Sequence, residues 1–141
     1  MPRTIRFEPE TEQVLKQVAR DEDDLLAAAA ANLGGRPAVR DAGLLSSAVG
    51  RPRASMLGTE AYPGIHQKAA ALLDSVVKNH AFVDGNRRVG WVAVRLFYAY
   101  NGQALRMDHA DAYDLVVAIA SSELNDVATI ATRLAACTTP A

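Results

Sequence analysis

Apolar residues recur every three or four positions along nearly the whole chain, a period that suits helices and not strands. Val14, Val18, Leu25 and Leu26 sit near that spacing, and the acidic run Asp21–Asp24 reads as a solvated helix start. Gly34, Gly35 and Pro37 end the region. Asp41 stands where an N-cap belongs, before a short helix carrying Leu44, Leu45, Ala48 and Val49 on one side. A longer helix is predicted after Pro63-Gly64, with Ile65, Ala69, Leu72, Leu73, Val76 and Val77 as its stripe. Another carries Val89, Val92, Ala93, Leu96, Phe97 and Tyr100 on one face and Trp91, Val94 and Tyr98 on the other. Being apolar nearly all round, this is the expected central, buried helix. Asn101-Gly102 supplies its left-handed stop, and Asp108 and Asn125 are the expected N-caps of two final helices. Residues 51–64, RPRASMLGTEAYPG, lack the period and read as an extended flap or loop. The expectation is an all-α fold, a compact helical bundle forming a single domain over residues 1–141.

Composition narrows the function more than the fold. A chain of 141 residues, half of them hydrophobic, can bury a core without disulfides or metal. Lys and Arg number 15 against 16 Asp and Glu, which leaves no basic face for direct nucleic-acid binding. A nucleotide is a different matter, since two or three placed cations suffice. The single cysteine, Cys137, cannot form an internal disulfide and is expected to be a small apolar residue near a fraying terminus. The opening MPRTIRFEPE has no apolar signal region, and Leu25–Ala31 and Val89–Tyr100 are too short or too broken by arginine to span a bilayer. A cytoplasmic protein without membrane contact is therefore expected.

Residues 79–91, NHAFVDGNRRVGW, depart from the pattern, because polar and charged groups collect where two apolar helices meet. A continuing helix would point His80 to the core side, below Val76 and Val77. Phe82 is the expected apolar anchor of the turn. Asp84-Gly85-Asn86 is a turn sequence, and Gly85 permits positive φ or close approach of a ligand. The next residues open a helix whose free N–H groups and dipole suit a phosphate. Arg87 and Arg88 add two charged forks there, and cations at a helix N-terminus oppose the dipole unless an anion rests between them. The set suits phosphoryl or nucleotidyl transfer. An imidazole such as His80 can take a proton from a hydroxyl, Asp84 can hold Mg²⁺, and Asn86 can orient a phosphate or the loop backbone. For Asp84 an N-cap or Asx-turn role is the structural alternative.

The segment resembles the signature of the Fic/Doc superfamily, H-x-F-x-[D/E]-G-N-G-R-x-x-R. Here it runs His80, Phe82, Asp84, Gly85 and Asn86, then Arg87 in place of the second glycine, then Arg88, with Trp91 where the last arginine would stand. Both departures are similar to the death-on-curing (Doc) branch, which usually carries lysine at the Arg87 position and lacks the distal arginine. RDAGLLSSAV before the segment and LFYAYNG after it extend the resemblance to about residues 32–136. The resemblance implies a compact helical toxin with a helix–loop–helix active site, which transfers the ATP γ-phosphate to a threonine of elongation factor Tu and blocks translation. It implies His80 as base, Asp84 as Mg²⁺ ligand, and Gly85, Asn86, Arg87 and Arg88 as the phosphate site, with Arg88 also catalytic. Residues 51–62 correspond to a flap that aligns the target. No inhibitory [S/T]-x-x-x-E-[G/N] helix is found, since Thr4-x-x-x-Glu8 runs into Pro9. A Phd-like antitoxin is accordingly the implied partner. The rival readings are a Fic-type AMP transferase and a catalytically silent antitoxin-binding module.

Overall fold

Asp41 opens the first helix as its position requires: its carboxylate accepts the Leu44 N–H at 3.0 Å, and α1 runs Ala42–Gly50. The computed structural model describes residues 37–141 and, ahead of them, only residues 27, 30, 34 and 35. The helix expected through Val14, Val18, Leu25 and Leu26 and the acidic run Asp21–Asp24 thus lie outside the described residues. After α1 come α2 (Ile65–Asn79), α3 (Asn86–Tyr100), α4 (His109–Ala120) and α5 (Val127–Ala135). Among the described residues, strands are confined to two short antiparallel pairs, β1 (Ser55–Met56) with β2 (Thr59–Glu60) and β3 (Gln103–Leu105) with β4 (Thr138–Pro140). The fold is all-α.

The central helix is α2, not α3, which corrects the expectation from sequence. Every residue of α2 from Ala69 to Val77 is buried, and the helix packs against α1, α3, α4 and α5. Helix α3 buries only Val89, Gly90, Ala93, Val94 and Tyr98. Periodicity misled because Asp74 and Ser75 look like a solvated face of α2. Both are buried, and both bond to Arg51, whose Nη1 donates to Asp74 Oδ2 at 2.7 Å and to Ser75 Oγ at 2.9 Å. Asp74 Oδ1 has no aligned donor among the described residues, only the Lys78 ammonium 2.9 Å away. A buried carboxylate is tolerable only with such charge compensation.

Helix α2 divides the core in two. On one side Leu45 and Val49 of α1 meet Leu72, Val76, Phe82 and Val89. On the other, Leu73, Val77 and Tyr98 meet Leu115 and Ile119 of α4 and Ile130 and Leu134 of α5. The Tyr98 hydroxyl finds His66 Nδ1 at 2.8 Å, and burial pushes the phenol well above its usual range. Gly90 sits at the closest approach of α2 and α3: a Cβ there would lie 2.8 Å from Val77 Cγ2 and 3.4 Å from Leu73 Cδ1. Packing excludes a side chain, which accounts for a glycine inside a helix.

Three smaller expectations need correction. Residues 51–64 contain a 3₁₀ turn, Arg51–Arg53, and then the β1–β2 hairpin, with Leu57 and Gly58 at φ 52° and 81° in its tip. Positive φ at both central residues matches the twist of paired strands, so a segment without helical period still has regular structure. The cap of α5 is Asp126 rather than Asn125; its carboxylate accepts from the N–H groups of Ala128 and Thr129 at 3.3 Å. Asp108 does occupy the N-cap position of α4, though its side chain makes no capping bond. Cys137 is half-buried against the core, and its carbonyl accepts the Arg106 N–H at 2.8 Å. The strand after it, β4, is paired with β3. Gly102, at φ 75°, follows the C-cap Asn101 and stops α3 as expected. No helix among the described residues is long and apolar enough to cross a membrane.

Candidate active site

Helix α2 ends at His80, which adopts left-handed φ 52° and ψ 44° and is exposed. The expected continuation into the core does not occur, because the chain reverses at this residue. A non-glycine side chain in that region costs about 1 kcal/mol, so the surroundings must enforce it. Arg40 does so. Its Nε donates to the His80 carbonyl at 2.7 Å and its Nη2 reaches the Asn79 carbonyl at 3.4 Å. A guanidinium at a helix C-terminus meets both the orphan carbonyls and the negative end of the dipole. Backbone bonds reinforce it: Arg40 and Asp41 N–H groups donate to the Ala81 carbonyl at 2.7 and 3.1 Å, and Val83 N–H to the Ala38 carbonyl at 2.9 Å. Val39 and Phe82 form the bridge between the two segments. Nothing in the residue pattern announced Arg40, since its role is a backbone contact with a distant stretch of chain.

Phe82 is buried at 1% exposure between α1 and α3, the anchor its type suggested. Asn86 braces the same turn from the other end. Its Oδ1 accepts the Phe82 N–H at 3.0 Å and its Nδ2 donates to the Phe82 carbonyl at 3.1 Å. Of the two roles considered for its side chain, these bonds fulfil the one toward the loop backbone. Asp84 is exposed, with Oδ1 accepting the Gly85 N–H at 2.8 Å, and it does not cap α3. The cap is Gly85, at φ 79° and ψ 15°, a conformation that a Cβ would strain.

Helix α3 then begins without a side-chain cap and without an acidic residue in its first turn. Arg87 and Arg88, both exposed, find no hydrogen-bond or ion-pair partner among the described residues. Positive charge and open N–H groups converge at one helix end, an arrangement suited to an anion. His80, Asp84, Gly85, Asn86, Arg87 and Arg88 all line one cleft of about 950 Å³, with Phe82 beneath it. The opposite wall is apolar and comes from α3 and α4: Trp91 and Val92 face Ala112, Tyr113, Val116 and Val117, with His109 at the rim. This wall explains why α3 is apolar on two sides, one turned to the core and the other to the cleft. His109 and Tyr113 were not foreseen, and a 59% exposed Tyr113 is recognisable as cleft lining only once α4 is placed.

The profile of the Fic/DOC family matches residues 16–98, more than half of the chain. The chain belongs to the Fic/Doc family. The matched span contains the entire His80–Arg88 loop and most of α3, and it stops short of α4, which supplies much of the cleft's second wall. Among curated proteins, "Toxin Doc" of Mycolicibacterium smegmatis is 46% identical over 109 residues, or 77% of this chain and 79% of that protein. The Doc-branch resemblance seen in the Arg87 and Trp91 positions agrees with that similarity.

Proposed function

We propose that this protein is the toxin of a toxin–antitoxin pair, a Doc-type kinase that transfers the ATP γ-phosphate to a protein hydroxyl. A threonine of elongation factor Tu is the expected acceptor, and blocked translation the expected outcome. The observation that carries the reading is the convergence on the start of α3 of His80, Asp84 and two arginines that have no partner among the described residues. The relative's name, Toxin Doc, supports the biological half of it.

In this reading His80 takes the proton of the acceptor hydroxyl as its oxygen bonds to the γ-phosphorus. The bond from that phosphorus to the β–γ bridging oxygen breaks, and ADP leaves. The N–H groups of Asn86, Arg87 and Arg88 and both guanidinium groups hold the charge that develops on the phosphates, with Gly85 letting them approach the backbone closely. Removing one such contact costs about 10²–10³ in rate. A cleft of about 950 Å³ is ample for a nucleotide. Asp84 is exposed at the cleft and offers one carboxylate, the kind of ligand that Mg²⁺ takes together with phosphate oxygens and water. Asp84 would hold that ion, Mg²⁺, whose charge offsets that of the phosphates when bound. Arg87 occupies the place where a second glycine would leave room for phosphates along the helix, and Trp91 replaces a further cation; both favour presentation of the γ- rather than the α-phosphorus.

A Phd-like antitoxin, docking a helix into a groove of the toxin, is the proposed partner. The test is incubation with elongation factor Tu and ATP labelled at either the α or the γ position. Label from the γ position on the target is expected. Label from the α position would establish AMP transfer instead, and no label from either would favour the silent module.

A further inference from the structure

We propose that Arg51, held by the buried Asp74, is a positioning residue that fixes the hairpin over residues 51–62 as a rigid docking edge for the protein target. The inference rests on the kinase reading above, in which that hairpin aligns the target. Its physical basis is the way the hairpin is attached. Met56 and Leu57 at its tip are 77% and 100% exposed, so no apolar contact at the tip holds it down. A two-stranded hairpin on its own is marginal in water. Its attachment is at the roots, and it is cationic.

Arg51 stands at the first root and Tyr62 at the second. The Arg51 Nε donates to the Tyr62 hydroxyl at 3.0 Å, and the guanidinium lies 5.4 Å from the centre of that ring. The other end of the fork binds Asp74 and Ser75 on α2, so one side chain closes the hairpin and fastens it to the central helix. Lys68, also on α2, makes a second fastening: Nζ donates to the Tyr62 carbonyl at 2.6 Å, to Glu60 Oε1 at 2.9 Å and to the Pro52 carbonyl at 3.3 Å. Positions 68, 75 and 79 follow one stripe of α2, so the face that holds the hairpin runs on to the residue before His80.

The consequence concerns the cost of binding. A mobile hairpin would lose freedom whenever a target strand paired with its edge, whereas a fastened one presents its main-chain groups already ordered. Asp74 supplies the charge that makes this possible. At 9% side-chain exposure it needs charge compensation, which Lys78 gives at Oδ1 and Arg51 at Oδ2, so the Arg51 fork is held at a defined place.

Removing Asp74 would endanger the fold, so the informative variants are Arg51→Lys, which keeps the charge but loses the fork, and Tyr62→Phe, which loses one bond. With purified elongation factor Tu as target, Arg51→Lys should raise its KM about tenfold, leaving kcat and the KM for ATP within about twofold. Tyr62→Phe should move the same parameter in the same direction by less. Amide exchange at residues 55–60 should accelerate by about tenfold in Arg51→Lys without a matching change across α2. An unchanged target KM, a loss confined to kcat or ATP binding, or unaltered exchange in the hairpin would each overturn the proposal. A parent protein that transfers no phosphate would instead overturn the kinase reading and the alignment role with it, while the exchange measurement still decides whether Arg51 fastens the hairpin.

Discussion

Helices α2 and α3 are each 15 residues long and lie against one another, yet they solve opposite problems. Helix α2 carries His66, Lys68, Asp74, Ser75 and Lys78, and each of these polar groups has a partner within the protein. Helix α3 begins with two arginines that have none among the described residues. The same contrast holds for their apolar sides. Those of α2 are covered by other helices, whereas one side of α3 forms the wall of an open cleft. Polar groups that are mutually satisfied build the frame, and those left unsatisfied at its edge are available to a ligand. The distinction lies in partners and not in composition.

The largest effect should fall on chemistry without touching the frame. His80→Ala is expected to lower phosphate transfer about 10²–10⁴-fold, as loss of a general base does. The melting temperature should stay put, since His80 is exposed and its support reaches it through the backbone carbonyl. Initial rates with labelled ATP alongside a thermal melt would separate the two. A variant as active as the parent would refute the assigned base.

Next in size is a direct contest between the two helices. Leu73→Ala, in the fully buried turn of α2, should cost about 2–5 kcal/mol in urea denaturation. Val92→Ala, on the cleft side of α3, should cost under about 1 kcal/mol and alter nucleotide binding instead. Equal losses would mean that the cleft wall is really core.

Much of this frame could be read in advance, and the failures have a common cause. The caps and stops were legible where one residue type answers a local need, as with Asp41 and the Asn101-Gly102 stop. Asn125 and Asp126 offered two capping side chains in succession, and sequence cannot choose between adjacent candidates. The ranking of α2 and α3 failed because burial of Asp74 depends on Arg51, 23 positions away. The cleft-lining residues His80, Asp84, Gly85, Asn86, Arg87 and Arg88 were legible as a group because they fall within one short segment, 80–88. Arg40, His109 and Tyr113 were not, since folding alone brings them to the same place.

A smaller effect tests the seam where the helices meet. Gly90→Ala gains about 1 kcal/mol of helix propensity. The added methyl would stand 2.8 Å from the stiff, buried Val77 side chain, and overpacking of that kind costs about 1–3 kcal/mol. A net destabilisation of about 1 kcal/mol is expected by denaturant titration. Net stabilisation would show that the α2–α3 seam yields easily.

The smallest effect is a pH dependence at the cap of α5. The Thr129 hydroxyl, then the N–H groups of Ala128 and Thr129, hold Asp126 below the usual carboxylate range, against a weaker opposing effect of burial. A lowered native value means that the ionised cap stabilises α5 above the ordinary carboxylate pKa and stops doing so as pH falls through the lowered one. Asp126→Ala should therefore reduce the melting temperature slightly near neutrality and show no difference at strongly acidic pH. A deficit that persisted in acid would rule out this origin.

The brace between Arg40 and the His80 carbonyl spans 40 positions of sequence. No contiguous fragment around His80 can therefore reproduce the turn it sits in, since half of that turn's support lies upstream, beyond the whole of α1 and the hairpin. The candidate site is the product of a long closed loop, complete only after α1 and α2 have packed and brought residues 38–41 against residues 81–83. Partly folded chains, whether newly made or thermally opened, would lack this arrangement. On the proposed reading, activity would arise in the same step as the finished tertiary structure, when the molecule is recognisable as a whole.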